Sequence, residues 1–140
     1  MNETRQAMDD ALKRVVVPYL RDEGFKGSLP NFRRPLEKQI DLLTFQFNKY
    51  GGSFVVEIAK CPPDGITTYW GKHVPPTKVN AHSVNTRQRL GSTPDHDHWF
   101  HFAPPSHEFQ PVFDEEHFLV VANSVIAFYE SQAKRWWNAC

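Results

Sequence analysis

Cysteine is nearly missing from this chain: Cys61 and the final residue, Cys140, are the only two, with no pair at metal-ligand spacing. That excludes a disulfide framework and a cysteine-based zinc site, and the two thiols read as reduced bystanders. A charge excess is missing too. The 16 Lys and Arg are balanced by 16 Asp and Glu, which removes the simplest electrostatic case for a nucleic-acid or membrane partner. No long hydrophobic run is present; Phe118 to Ala122 falls far short of the roughly 20 residues that a membrane span needs. Met-Asn-Glu-Thr-Arg-Gln at the start has no apolar segment behind it, so no secretory leader is predicted and a cytoplasmic location is expected.

Catalytic signatures are lacking as well. There is no nucleophile elbow, no phosphate-cradling Gly-rich loop and no His-Glu-x-x-His. Ser106-His107-Glu108 has the letters of a hydrolytic triad, but adjacent residues cannot form one, because each side chain must reach the next in space. Neither a catalytic residue nor a cofactor is expected.

What the chain does have is apolar and aromatic material, 40% and 14% of its 140 residues, a folded composition of a length that suits one domain over 1–140. The central signal runs from Gln39 to Cys61. Leu43, Phe45 and Phe47 alternate with Ile40, Leu42, Thr44 and Gln46. Beyond Gly51-Gly52, Phe54, Val56 and Ile58 alternate with Val55, Glu57 and Ala59. This predicts a hairpin, with the two glycines at positive φ in the centre of a tight turn. One face carries three large apolar side chains per strand; the other is not fully polar near its start and is expected to be partly covered.

Two helices flank this hairpin. Met8, Leu12, Val15, Val16, Tyr19 and Leu20 recur at helical spacing behind a cap at Asn2 or Thr4, with Gly24 placed for a left-handed ending that sets Phe25 over Leu20. Pro18 lacks the N–H that would bond back to Arg14 and is expected to kink the last turns. The last helix begins near Asp114 and runs to about Trp137, with Phe118, Val121, Ala122, Val125, Phe128 or Tyr129, and Gln132 along one face. Between the first helix and the hairpin, 26–34 reads as a short irregular edge strand. His98 to Phe102 is a further strand candidate, 84–90 is undecided, and the proline-bearing stretch 62–80 is a long loop. The predicted fold is α+β: a small antiparallel β-sheet of three to five strands packed on one face by an N-terminal and a C-terminal helix.

Two clusters could carry a function. Arg87 and Arg89 share a face of an extended segment and could hold a carboxylate or phosphate bidentately, with Trp99 as a wall and Arg33 or Arg34 joining. The competing reading pairs them with Glu57 or Asp41 on the outer face of the sheet, or leaves them simply exposed. His96, His98, His101 and His107, with Asp95 and Asp97, could contribute metal ligands. A solvated His-rich loop explains them better, leaving His96 and His98 as the weak metal candidates. Of Trp136 and Trp137, one is expected under a strand and the other partly exposed.

The order of these features resembles the bacterial domain-of-unknown-function family numbered 4304. The likeness rests on the helix ending in Gly24-Phe25, Phe32-Arg33, Phe45-Gln46, Phe54 and Val56, and Arg87-x-Arg89-Leu90-Gly91 ahead of Trp99. It implies a small α+β protein of the bacterial cytoplasm with no established activity, some members being immunity-like in lying beside toxin genes, and it carries over no catalytic residue.

Two functions are expected on these grounds. The first is a non-enzymatic binding protein engaging a protein partner, immunity-like, as a monomer or as a homodimer through the 26–34 edge. The alternative is an enzyme or small-molecule binder with an anionic ligand held by Arg87 and Arg89 and with Glu57 or His98 nearby.

Overall fold

The computed structural model describes residues 3–84, 86–103 and 115–139. The expected caps Asn2 and Asp114, together with 104–107, Glu108 and Cys140, lie outside them.

Helix α1, Glu3–Asp22, buries Met8, Ala11, Leu12, Val16 and Leu20 on one face, the three-and-four spacing that an amphipathic helix requires. Thr4 falls within its first turn rather than at its cap. The helix closes as the sequence predicts. Phe25 donates its N–H to the Leu20 carbonyl at 2.9 Å, Gly24 donates to Arg21 at 3.0 Å, and Gly24 has φ +99°; these are the two bonds of a Schellman ending.

The 26–34 stretch is two strands, not one. β1 (Lys26–Ser28) is the sheet edge, and β2 (Asn31–Pro35) lies inside it, paired with β3 (Ile40–Phe47). The reversal falls at Leu29-Pro30, which is cis. Gly27 makes the tight pairing feasible, since a Cβ there would stand 2.5 Å from the Asn31 carbonyl oxygen. β3 pairs antiparallel with β4 (Ser53–Cys61) from Ile40↔Cys61 to Phe47↔Phe54. Their connection is longer than the two-glycine turn expected. Asn48 accepts the Tyr50 N–H on its side chain and the Gly51 N–H on its carbonyl, both at 2.9 Å, so the reversal starts at Asn48. Gly51 and Gly52 then follow with φ of +89° and +82° to bring Ser53 into register.

After a small hairpin of β5 (Ile66–Thr67) and β6 (His73–Val74), the strands β7 (Arg87–Arg89) and β8 (Phe100–His101) share the free edge of β4. β7 pairs with Glu57–Ala59 and β8 with Ser53–Phe54. Among the described residues the main sheet therefore has six antiparallel strands.

Alternation along β3 and β4 sends Leu43, Phe45, Phe54, Val56 and Ile58 to the inner face, where α1 and the C-terminal helix cover them. Phe47 is only half-buried, under the Arg5 guanidinium 3.6 Å from its ring centre. On the outer face Ile40, Leu42, Ala59 and Cys61 meet Val79, Ala81 and Val84. Much of the 62–84 stretch is thus a cover over the second face. It is pinned where the Ala81 N–H reaches the Thr44 hydroxyl at 3.3 Å.

The C-terminal helix changes pitch. α2 (Glu115–Phe128) passes into a π-helical stretch, Tyr129–Ala133, before α3 (Lys134–Asn138). Val125, Tyr129, Ala133 and Trp137 are all buried. Successive steps of four in an α-helix drift by about 40° each, so three would carry Trp137 well off the core face. The wider π turn absorbs that drift. Trp137 sits under β4 and donates its indole N–H to the Ala59 carbonyl at 2.9 Å, while Trp136 is half-buried at the rim.

Candidate functional site

On the outer face, β4 presents Glu57 directly opposite Arg89 of β7, and Ala59 opposite Arg87. The two-residue period of a strand puts both guanidinium groups beside one carboxylate. Glu57 is buried, at 5% exposure. Its Oε1 lies 3.5 Å from Arg89 Nε, and its Oε2 lies 3.0 Å from His82 Nδ1 and 3.8 Å from Arg87 Nη1. Neither His82 nor Arg87 has hydrogen-bond alignment to Oε2, which is buried without a hydrogen bond. Arg87 donates to the His82 carbonyl at 3.2 Å, and Arg89 donates to Asp97 Oδ2 at 2.8 Å. The Trp99 ring lies 5.7 Å from the Arg89 guanidinium, within cation–π range. Glu57, Arg87, Gln88, Arg89, Ser92 and Asp97 line an open depression of about 310 Å³.

The turn beyond β7 is held from two sides. Leu90 is buried and donates to the Val56 carbonyl at 2.7 Å. Gln132, in the π stretch, accepts the Gly91 N–H at 2.5 Å and donates to the Ser92 carbonyl at 3.3 Å. Gly91 has φ +82°, and a Cβ there would come within 3.0 Å of the His98 ring. That ring rests against Phe100 and Phe128, at 4.6 and 4.9 Å between centres. Burial first, then the charges of His101 and His96, hold its pKa below the ordinary histidine value. A histidine held neutral in the fold stabilises fully above the unfolded-state pKa and loses that contribution as pH falls through its folded value. The melting temperature should therefore drop between pH 7.5 and pH 5, and by less in His98→Phe; equal drops in the two proteins would contradict this.

Four of the expected residues, Glu57, Arg87, Arg89 and Trp99, thus come together. Arg33 does not join them. It is in cross-strand line with Arg87 through Leu42 and Ala59, but three strand spacings away, about 14 Å. Asp41 is on the inner face, not the outer one, because it lies one residue out of phase with Ile40 and Leu42. There it takes Arg34, with Nη2 and Nε at 2.7 and 3.1 Å from Oδ2. Arg34 also donates to the Glu23 carbonyl at 3.0 Å and lies over the rings of Phe25 and Trp137. The Tyr129 hydroxyl donates to Glu23 at 3.1 Å, and burial, the larger effect, raises its pKa far above that of an ordinary phenol. His96 is exposed and faces Thr93 at 3.4 Å. Among the described residues no group of three or more His, Cys, Asp or Glu is placed to hold a metal ion.

His82 was not legible as a site residue. It reaches Glu57 only because the 3-10 turn Ala81–Ser83, capped by Asn80, lies on the outer face, and no local pattern signals that contact. Asp41 did carry a signal: a lone charge in the apolar run Ile40 to Phe45, where burial demands a partner.

A family model described as "Domain of unknown function (DUF4304)" matches residues 16–138. The chain belongs to this family. The matched span of DUF4304 takes in Gly24, Glu57, Arg87, Arg89, Trp99 and Trp137, so the fold's closing contacts and the arginine-lined depression all lie within it. No curated protein and no solved structure matches the chain. No described helix is long and apolar enough to cross a membrane.

Proposed function

We propose that this DUF4304 protein is a binder of small anionic ligands, held by Arg87 and Arg89 over Glu57. The observation that carries this reading is the pair of guanidinium groups lining one depression, with the Asp97 carboxylate already seated on Arg89 at 2.8 Å. Asp97 is half exposed, at 51% of its side chain, so a competing carboxylate or phosphate can displace it at little cost in desolvation. The Glu57 carboxylate, 3.5 and 3.8 Å from the two arginine heads, draws them toward the depression and so lowers the entropy lost when a ligand binds. Arginine suits the task because its planar fork matches both oxyanions.

Titration with inorganic phosphate, followed by NMR of the arginine side-chain N–H groups, tests this. Arg87→Ala and Arg89→Lys should each weaken binding by roughly 10-fold or more, the loss of one charged hydrogen bond. The melting temperature should shift little for Arg87→Ala, whose side chain is 44% exposed. Phosphate affinities equal to that of the parent would overturn the proposal.

A second reading, a protein partner, is favoured by the tip of the β5–β6 hairpin. Tyr69 is 97% and Trp70 66% exposed, in edge contact with each other at 4.7 Å between ring centres. Bare aromatic pairs on an ordered turn have the chemistry of interface anchors.

A further inference from the structure

The charged groups of the arginine depression are paired with the protein's own side chains, and these describe what it takes. By side-chain exposure its two most buried charges are Glu57 at 7% and Arg89 at 29%, and each faces a more exposed partner, His82 at 42% and Asp97 at 51%. Asp97 places an anion on Arg89. His82 brings a ring nitrogen to 3.0 Å from Glu57 Oε2, yet that oxygen still has no hydrogen bond. A buried carboxylate oxygen left without a donor is costly, and a charged donor offsets that cost best.

We infer that the ligand carries an anionic group for Arg87 and Arg89 and, beside it, an ammonium for Glu57 Oε2, so that it replaces Asp97 and His82 together. This rests on the anion-binding reading and narrows it to compact zwitterions. Charge agrees with it. Two guanidinium groups and one carboxylate sum to +1, which a phosphomonoester dianion bearing one ammonium neutralises. Access to Oε2 requires only that the His82 ring turn outward, because the turn carrying it is anchored through Asn80, Ser83 and Ala81 rather than through the imidazole.

The test compares two probes with the same anion, ethyl phosphate and O-phosphoethanolamine, by the same NMR titration. O-phosphoethanolamine should bind about 10-fold tighter, one added charged hydrogen bond. Glu57→Gln should abolish that preference. Because Glu57→Gln could unfold the protein, His82→Ala provides an independent arm: it should raise affinity for O-phosphoethanolamine and leave ethyl phosphate unchanged. Asp97→Asn should raise affinity for both. Equal affinities in the parent, or a His82→Ala variant that treats the probes alike, would overturn the zwitterion and leave the anion site standing. Binding of neither probe would overturn both.

Discussion

Asp41→Ala is expected to lose about 3–5 kcal/mol of stability, the penalty for breaking a buried ion pair by removing one partner. Asp41 is 1% exposed in the middle of the sheet. Its Oδ2 takes Arg34 and its Oδ1 takes the Gln39 amide at 2.5 Å. Deleting the carboxylate strands a guanidinium that lies over the Phe25 and Trp137 rings, in surroundings that solvate it poorly. The pair itself need not be stabilising. Replacing both members, Arg34→Leu with Asp41→Leu, should recover most of the loss, since burying two matched apolar groups avoids desolvating two charges. Urea unfolding of the two single variants and the double variant forms a double-mutant cycle that measures the coupling. A single-variant loss under about 1 kcal/mol would mean that Arg34 finds solvent on its own.

Trp137→Ala should cost about 3–5 kcal/mol by opening a cavity. The indole is 2% exposed, touches Phe25 and Tyr129 at 5.4 and 5.6 Å between ring centres, and donates to the Ala59 carbonyl. Trp137→Phe separates the two contributions. It keeps most of the volume and loses the donor, for about 1 kcal/mol. Trp136→Ala, at the rim, should cost much less. Denaturant midpoints followed by far-UV circular dichroism rank the three, and a Trp136 effect as large as that of Trp137 would reverse the assignment of core and rim.

Much of the layer structure was readable because period and burial agree. Strict alternation from Leu43 to Ile58, the Gly24-Phe25 ending and the apolar stripe of α1 each specify one arrangement. Places where local chemistry competes with period were not readable. Asn48 starts its turn early by accepting the Tyr50 N–H. The 26–34 stretch holds two strands because Gly27 has no Cβ. Phe128 and Tyr129 could not be ranked because the helical period itself changes at that point. In the site, Arg87, Arg89 and Glu57 were found by strand alternation, which acts locally. His82 arrives from a segment with no period of its own, and nothing short of the folded outer face places it.

The wide turn at Tyr129–Ala133 makes the protein's tail a two-phase screw. Tightened into an ordinary α-helix with every residue kept, it would rotate everything beyond it by about 100°. A more regular helix would thus swing the Trp137 indole off the core face and away from the Ala59 carbonyl. The imperfect pitch of the last helix is what joins the largest buried ring of the core to the turn that carries the arginines.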